Sequence, residues 1–333
     1  MSHLKLDCLI VTKPANVTCI TGFTGEDTWA IVLPRTVALV TDSRYTEQAK
    51  QECRLCRIVI RRVSCVKTVA RLLQNREGGK IAVEKAMSIA EFEGLKKELS
   101  GRIRSVANVV ENVRRNKDDG EVAAIRAAAK IARRAFEATR RKIPNAITEN
   151  GLAGIMDFEI RKLGGRNSFD TIVAFGANAS RPHHQPTDRK LAKNDTVLID
   201  FGVRYNGYCC DLTRCFAVGN PGPFYRRVYA AVEQAQAAAL KMVRAGAEIS
   251  AVDAAAKQVI KKSGLPVYGH GTGHGLGLEV HELPVVSNRT KGNLQAGDVV
   301  TIEPAVYIPG RLGVRIEDDV LVTDDGYVML TAL

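Results

Sequence analysis

Two aspartates on either side of a tight turn are the first residues in this chain that could do chemistry together. They stand in LIDFGVRYNGYCCDLTRCF, residues 198–216, at Asp200 and Asp211. Asn206-Gly207 between them is a strong hairpin signal, because a type I′ turn needs positive φ at both central residues. With those two residues as the turn, paired residue numbers sum to 413, so Asp200 faces Thr213 and Asp211 faces Gly202. Opposed residues share a face of a sheet, and so do residues two apart on one strand. The carboxylates therefore lie diagonally on one face, among the core-type neighbours Leu198, Ile199, Phe201, Leu212 and Phe216. Two carboxylates that close repel each other unless a cation or a shared proton sits between them. Exposed hairpin aspartates are the bland alternative, and the apolar neighbours argue against it.

A second acidic pair repeats the pattern. In TIEPAVYIPGRLGVRIEDD, residues 301–319, Glu303 and Glu317 flank Pro309-Gly310, and their midpoint is residue 310. The glutamates can thus oppose each other, although the loop type and register do not follow from the sequence. Glu303 follows Asp200 by 103 positions and Glu317 follows Asp211 by 106, which suggests two related halves meeting at one site. Four acids converging without cations would be very costly. Arg315 shares a strand face with Glu317 and is expected to offset part of that charge.

Between the hairpins lies YGHGTGHGLGLEVHE, residues 268–282, with His270, His274 and His281 among five glycines. A lone histidine is more often a packing residue than a ligand. Three within twelve positions are different, and glycine lets the backbone approach a site closely. His183, or its neighbour His184, in SRPHHQPTD is a fourth candidate. A phosphate loop is disfavoured because no Gly-Lys-Ser/Thr ending follows these glycines, nor those of TGFTG at 21–25.

The segments PHH, IDFG, GYCCDLTR, GHGTGHGLGLEVHE, TIEPAVYIPG and VRIEDD resemble the peptidase family of aminopeptidase P, prolidase and methionine aminopeptidase. The resemblance runs from about residue 120 to the end and implies a pita-bread catalytic domain with internal pseudo-twofold symmetry. The first 115 residues, with ITGFTG and TDSRYTEQA, resemble the N-terminal domain of the Xaa-Pro-specific members. Carried over position by position, the implied metal ligands are Asp200, Asp211, His274, Glu303 and Glu317. The resemblance further implies two divalent metal ions, with Asp211 and Glu317 bridging. Glu303 would act as proton shuttle, and His183 and His281 as catalytic residues stabilising the oxyanion. His270 and Arg315 would contact substrate. The implied reaction is cleavage of the Xaa-Pro bond at the N-terminus of dipeptides or short peptides. An oxygen-rich, hard donor set suits manganese first, with cobalt or zinc as alternatives. Cys210 and Cys215 stand where many relatives carry a small polar residue and a threonine.

The elements that must position these residues fall into two groups. Residues 1–115 alternate short apolar runs with helical stretches. Strands are expected at 7–12, 29–33, 37–41, 57–60 and 80–83, and helices at 45–52, 65–74 and 88–99, which is an α/β pattern. Residues 116–333 begin with a helix capped by Asp118 or Asp119, with apolar residues at 122, 125, 129, 132 and 136. Further helices are expected from Thr148 to Gly164-Gly165, along the stripe Val228 to Met242, and from a Ser250/Asp253 capping pair to Gly264. Strand-like runs at 171–175, 196–203, 207–218, 299–307 and 313–322 complete an α+β domain with an antiparallel sheet. The fold class is therefore α+β, a pita-bread domain behind a smaller α/β creatinase-like domain.

Composition bounds the remaining possibilities. A chain of 333 residues with 45% hydrophobic and 25% charged residues is globular and long enough for two domains. No apolar run approaches membrane-spanning length, and no secretory pattern opens the chain, so a cytoplasmic location is expected. The eight cysteines, including Cys53 and Cys56 in a CxxC, are read as reduced apolar residues. The net charge of +12 comes from scattered cations that solvated helix faces explain, so nucleic acid is not expected as a partner. A proline-containing peptide is the expected substrate and a homodimer the expected assembly. The rival readings are a methionine aminopeptidase-like enzyme, which generally lacks the N-terminal domain, and a non-catalytic pita-bread protein binding RNA or protein, which would have lost ligands.

Overall fold

Strand and helix alternate through the first third of the chain because its apolar runs are four or five residues long, too short for helices and right for buried strands. The computed structural model describes residues 6–74, 79–99, 103–143 and 146–331. The chain divides into two units, Met1–Arg114 and Arg115–Leu333.

In the first unit the order is β1 (Cys8–Val11), α1 (Pro14–Thr21), β2 (Trp29–Val32), β3 (Val37–Thr41), α2 (Thr46–Glu52), β4 (Arg57–Ile60), α3 (Cys65–Leu73), β5 (Ile81–Glu84), α4 (Ile89–Glu98), β6 (Ile103–Val106) and α5 (Val109–Arg115). Its mixed sheet has the order β4-β3-β2-β1-β5-β6. Three of these elements were not expected. The helix α1 has no apolar stripe, and its N-terminus is held from a distance: Glu84 accepts the amides of Thr12 at 2.8 Å and Lys13 at 3.0 Å. The carboxylate thus fixes the two residues that lead into the helix, and its charge lies near the positive end of the helix dipole. Strand β6 alternates Ile103 with exposed Arg104 and Ser105, and α5 is a single short stretch, so neither has much period to read.

The second unit opens with α6 (Asp119–Arg141), where Asp118 and Glu121 form a reciprocal capping box. Then come α7 (Glu149–Lys162), β7 (Arg166–Asn167), β8 (Ile172–Phe175), β9 (Thr196–Tyr205), β10 (Tyr208–Ala217), α8 (Gly222–Leu240) and α9 (Ile249–Lys262). The order closes with β11 (Gly273–Gly275), β12 (Glu282–Val286), β13 (Val299–Ile302), β14 (Ala305–Ile308), β15 (Leu312–Arg315), β16 (Asp318–Val322) and β17 (Tyr327–Met329). Every described pairing in this unit is antiparallel. Helix α9 starts without the expected cap. Ser250 donates to Glu248, and Asp253 lies one turn inside the helix with its carboxylate turned elsewhere.

Period-two alternation splits the β9–β10 hairpin between two cores. Val197, Ile199, Phe201, Val203, Cys210 and Leu212 pack against residues of α6 and α7. Leu198 and Cys215 face the core shared by α8, α9 and strands β13–β16. Asp200 and Asp211 lie on that second face. The expected single runs 299–307 and 313–322 are each broken in two, at Glu303-Pro304 and at Ile316-Glu317.

Candidate active site

The β9–β10 ladder has the register expected from its turn: Thr213 pairs with Asp200 and Asp211 with Gly202. Asn206 and Gly207 take φ values of 49° and 85°, as a type I′ turn requires. Glycine at 202 is a matter of space, since a Cβ there would fall 2.0 Å from Ser168 Oγ and 2.5 Å from the Cys210 carbonyl oxygen.

The second pair of strands presents its acids differently. Ile302 opposes Asp318 and Ala305 opposes Arg315, so one register runs through both ladders, and between them only a long bond from Ile316 N–H to the Pro304 carbonyl at 3.4 Å keeps to it. The released backbone finds partners outside the hairpin. Glu303 N–H donates to the Thr272 carbonyl at 2.8 Å, and Glu317 N–H to the Thr213 carbonyl at 3.2 Å. Thr213 Oγ1 in turn donates to Glu317 Oε2 at 2.6 Å. Glu317 is thereby drawn onto the first hairpin, beside Asp211.

Strand β11 supplies the imidazole. His274 Nε2 lies 3.7 Å from Asp211 Oδ2 and 3.5 Å from Glu303 Oε1. Its Nδ1 donates to the Gly275 carbonyl at 3.1 Å, which leaves the Nε2 lone pair facing two carboxylates. Among the described residues, Asp211, His274 and Glu317 form the group able to hold a metal ion, with ligand atoms within 4.8 Å of one another.

The electrostatics are those of an overloaded anionic cluster. Burial pushes the Asp211 and Glu317 carboxyls well above the usual range, and neighbouring carboxylates push them further. Burial also raises Glu303 to about 7, with Arg315 opposing the shift and Asp200 adding to it. Burial lowers His274 to about 4, so its ring is neutral at pH 7. Asp200 Oδ1 and Asp211 Oδ1 are buried without a hydrogen-bond partner. Orphaned carboxylate oxygens beside an imidazole lone pair are what a cation site offers its ion, and the donor set fits a hard or borderline divalent metal.

Arg315 lies against the acidic cluster, where its charge opposes the raised pKa of Glu303 and Glu317. Its guanidinium pairs with Asp200 rather than with Glu317, through Nη2 and Oδ2. Nε donates to Thr213 Oγ1 at 3.0 Å and Nη1 to Tyr307 Oη at 2.7 Å. Tyr307, 3.2 Å from His270 Nε2, can pass its own hydrogen on to that ring, while His270 Nδ1 donates to the Gly271 carbonyl at 2.7 Å. His270 is thus locked as a neutral ring, and burial lowers its pKa to about 4. Tyr307, Thr213, Thr272 and Thr301 were not singled out from the sequence, because hydroxyls in apolar strands carry no local signal.

The remaining histidines separate cleanly. His281 is exposed, with its ring centroid 4.4 Å from that of His274. His183 is exposed and lies in electrostatic range of His270 and His281. His184 instead is buried against Glu149 at 2.9 Å, a structural contact. Of the two unusual cysteines, Cys215 Sγ accepts the Arg315 amide at 3.5 Å and Cys210 is fully buried next to Asp211.

Residues 123–324 match the model of metallopeptidase family M24, and residues 1–115 match the creatinase/prolidase N-terminal domain. The chain belongs to the M24 metallopeptidases. It is 36% identical to the uncharacterized peptidase YqhT of Bacillus subtilis, over 99% of this chain and 94% of that one. Among solved structures it is similar to an Xaa-Pro dipeptidase from Bacillus anthracis, with TM-score 0.96, 32% identity, and coverage of 100% of this chain and 94% of that chain. It is also similar to an X-Pro aminopeptidase from Thermotoga maritima, with TM-score 0.92, 33% identity, and coverage of 100% and 97%. As an M24 peptidase with both domains, this chain has the expected α+β pita-bread fold behind a creatinase-type domain, and it is a metal-dependent hydrolase of peptides. Among the described residues, no helix is long and apolar enough to cross a membrane.

Proposed function

We propose that the chain is a dinuclear metallopeptidase cleaving the Xaa-Pro bond at the N-terminus of dipeptides or short peptides. The supporting observation is the meeting of Asp211, His274 and Glu317, with the His274 lone pair aimed at Asp211 and Glu303. Asp200, Asp211, His274, Glu303 and Glu317 would hold two divalent cations, manganese by donor hardness, with cobalt or zinc as alternatives. Such cations, when bound, supply Lewis acidity for the scissile carbonyl and an acidified water. The names of the similar structures, an Xaa-Pro dipeptidase and an X-Pro aminopeptidase, support proline after the scissile bond.

The chain's own groups then have distinct tasks. Glu303, whose Oε1 lies 3.5 Å from His274 Nε2 at the edge of the cluster, is placed to take a proton from the attacking water and return it to the imide nitrogen. His281 and His183, both exposed, can donate N–H to the carbonyl oxygen as it gains charge. His270, fixed through Tyr307 to Arg315, borders the substrate side, and Arg315 holds Asp200 in place. Two catalytic units in a homodimer, in the cytoplasm, with the catalytic domain starting at residue 116, complete the reading.

The test is turnover of Ala-Pro, Ala-Pro-Pro and Met-Ala peptides by wild type and Glu303→Ala with added Mn2+. Loss of a positioned acid–base group costs about 10²–10⁴-fold. The expected result is cleavage before proline, abolished in the variant while the fold is kept. Preference for Met-Ala, or full activity of the variant, would refute the reading.

A further inference from the structure

Among the buried carboxylates outside the acidic cluster, Asp253 stands nearest in its contacts to the histidine loop. Asp253 on α9 is fully buried, and its Oδ1 accepts the Thr272 amide at 3.0 Å and the Thr272 hydroxyl at 2.8 Å. Lys257, one turn on, brings its Nζ to 3.0 Å from the same oxygen and lies 5.2 Å from the Tyr268 ring centroid. Tyr268 Oη lies 2.6 Å from Thr272 Oγ1. On its other side Thr272 offers its carbonyl to Glu303 N–H at 2.8 Å. Thr272 is therefore a two-sided link between α9 and Glu303, placed midway between His270 and His274.

The loop that carries this link has no slack. A Cβ at Gly273 would fall 1.8 Å from the Thr301 carbonyl oxygen, and one at Gly271 would fall 2.8 Å from that of Val286. His274 N–H is fixed separately to Thr301 Oγ1 at 3.1 Å. The helix at the other end is itself anchored beside Asp253, with Val252 and Ala256 fully buried. Burying a carboxylate is expensive unless its partners repay the lost hydration. Asp253 does not cap its own helix: its Oδ1 takes both Thr272 donors beside the Lys257 ammonium, and its Oδ2 is buried without a partner.

We propose that Asp253 is a positioning residue for the peptidase site. It sets the histidine loop against α9 and, through the Thr272 carbonyl, sets the backbone of Glu303 relative to Asp211. The consequence for turnover rests on the function proposed above; the consequences for loop protection and cation affinity do not.

The test compares full-length wild type with Asp253→Ala, Asp253→Asn, Thr272→Val and Ile260→Ala. The readouts are deuterium exchange at the amides of Thr272 and Glu303, calorimetric Mn2+ affinity, and kcat and KM on an Xaa-Pro peptide. Groups that orient metal ligands typically carry 10–100-fold in affinity or activity, so Asp253→Ala should lose about that in both Mn2+ affinity and kcat. KM should stay within about 3-fold, as for a lost positioning effect rather than lost substrate binding. Both amides should exchange faster. Asp253→Asn keeps an oxygen acceptor for the Thr272 amide and should recover most of the loss. Ile260→Ala, in the same helix but facing the core, should lower Tm and leave affinity and kcat unchanged. If Asp253→Ala only lowers Tm as Ile260→Ala does, with protection and Mn2+ affinity intact, the proposal is overturned. Should Asp253→Ala not fold, Thr272→Val decides in the same way, with about a 10-fold loss expected and no change contradicting. A wild type that binds Mn2+ but cleaves no Xaa-Pro peptide would refute the proposed function while the exchange and affinity arms still judge Asp253.

Discussion

The two acidic hairpins of the second unit use opposite means to the same end. The β9–β10 ladder is unbroken from Tyr208–Tyr205 to Ala217–Thr196, and its acids stay in the pleat, projecting from one face. The β13–β16 and β14–β15 ladders share a register but part between Ile302 and Ala305, and Glu303 and Glu317 stand in the gap. A continuous ladder fixes a side chain by pairing alone. An opened ladder frees backbone groups that must be satisfied elsewhere, and those replacement bonds, to Thr213 and Thr272, aim the glutamates at the aspartates.

That contrast can be broken first on the rigid side. Gly202→Ala should be the most damaging of the substitutions that leave the acids in place, because its methyl meets both a side chain and a carbonyl. Overpacking of this kind costs about 1–3 kcal/mol. A displaced Asp211 backbone should also lower turnover by about 100-fold. Thermal unfolding and kinetics check both, and a silent variant would show that the hairpin has room. Thr213→Val comes next: it deletes the hydroxyl between Glu317 and Arg315, and should weaken Mn2+ binding about 10-fold in calorimetry.

Pro304→Ala sharpens the comparison from the other side. If the opening is held by the bonds to Thr213 and Thr272, restoring an N–H at 304 should not close it. Stability should fall by about 1 kcal/mol at most, from lost packing, with turnover nearly unchanged. A collapse of activity would mean that the proline itself makes the gap.

A smaller effect isolates the charge at the gap. Glu303 is raised from 4.5 to about 7 in the folded, cation-free chain, so the folded state holds its proton where the unfolded state has lost it. Stability from this group is therefore intact below about pH 4.5 and is lost as pH rises through 7. His270 and His274, lowered to about 4, act in the opposite direction, so total Tm is a poor readout. The difference between cation-free wild type and Glu303→Gln isolates the effect. Wild type should lose Tm relative to the variant as pH rises from 5 to 7.5, and a flat difference would contradict the raised pKa.

The sequence disclosed whatever rests on local pattern. Asn206-Gly207 alone settles the register that puts Asp200 and Asp211 on one face, and the pair Asp118-Asp119 marks the start of α6, with Asp118 the cap. Resemblance then picked out the residues that the structure brings together around His274. What stayed hidden depends on partners far along the chain. Nothing near Arg315 says that it will reach back to Asp200, and Ser250 and Asp253 have capping spacing while Asp253 is committed to Thr272. Helix α1 is invisible for the same reason, since the carboxylate that fixes the chain entering it is Glu84, some 70 residues away.

The most direct test is to soak metal-stripped crystals with Mn2+ and record anomalous diffraction. Two peaks should appear, ringed by Asp200, Asp211, His274, Glu303 and Glu317, with the Asp200 and Asp211 oxygens that now lack partners turned onto them. No peak there, with Asp200 still paired to Arg315 and the His274 lone pair still unused, would contradict the account at its root.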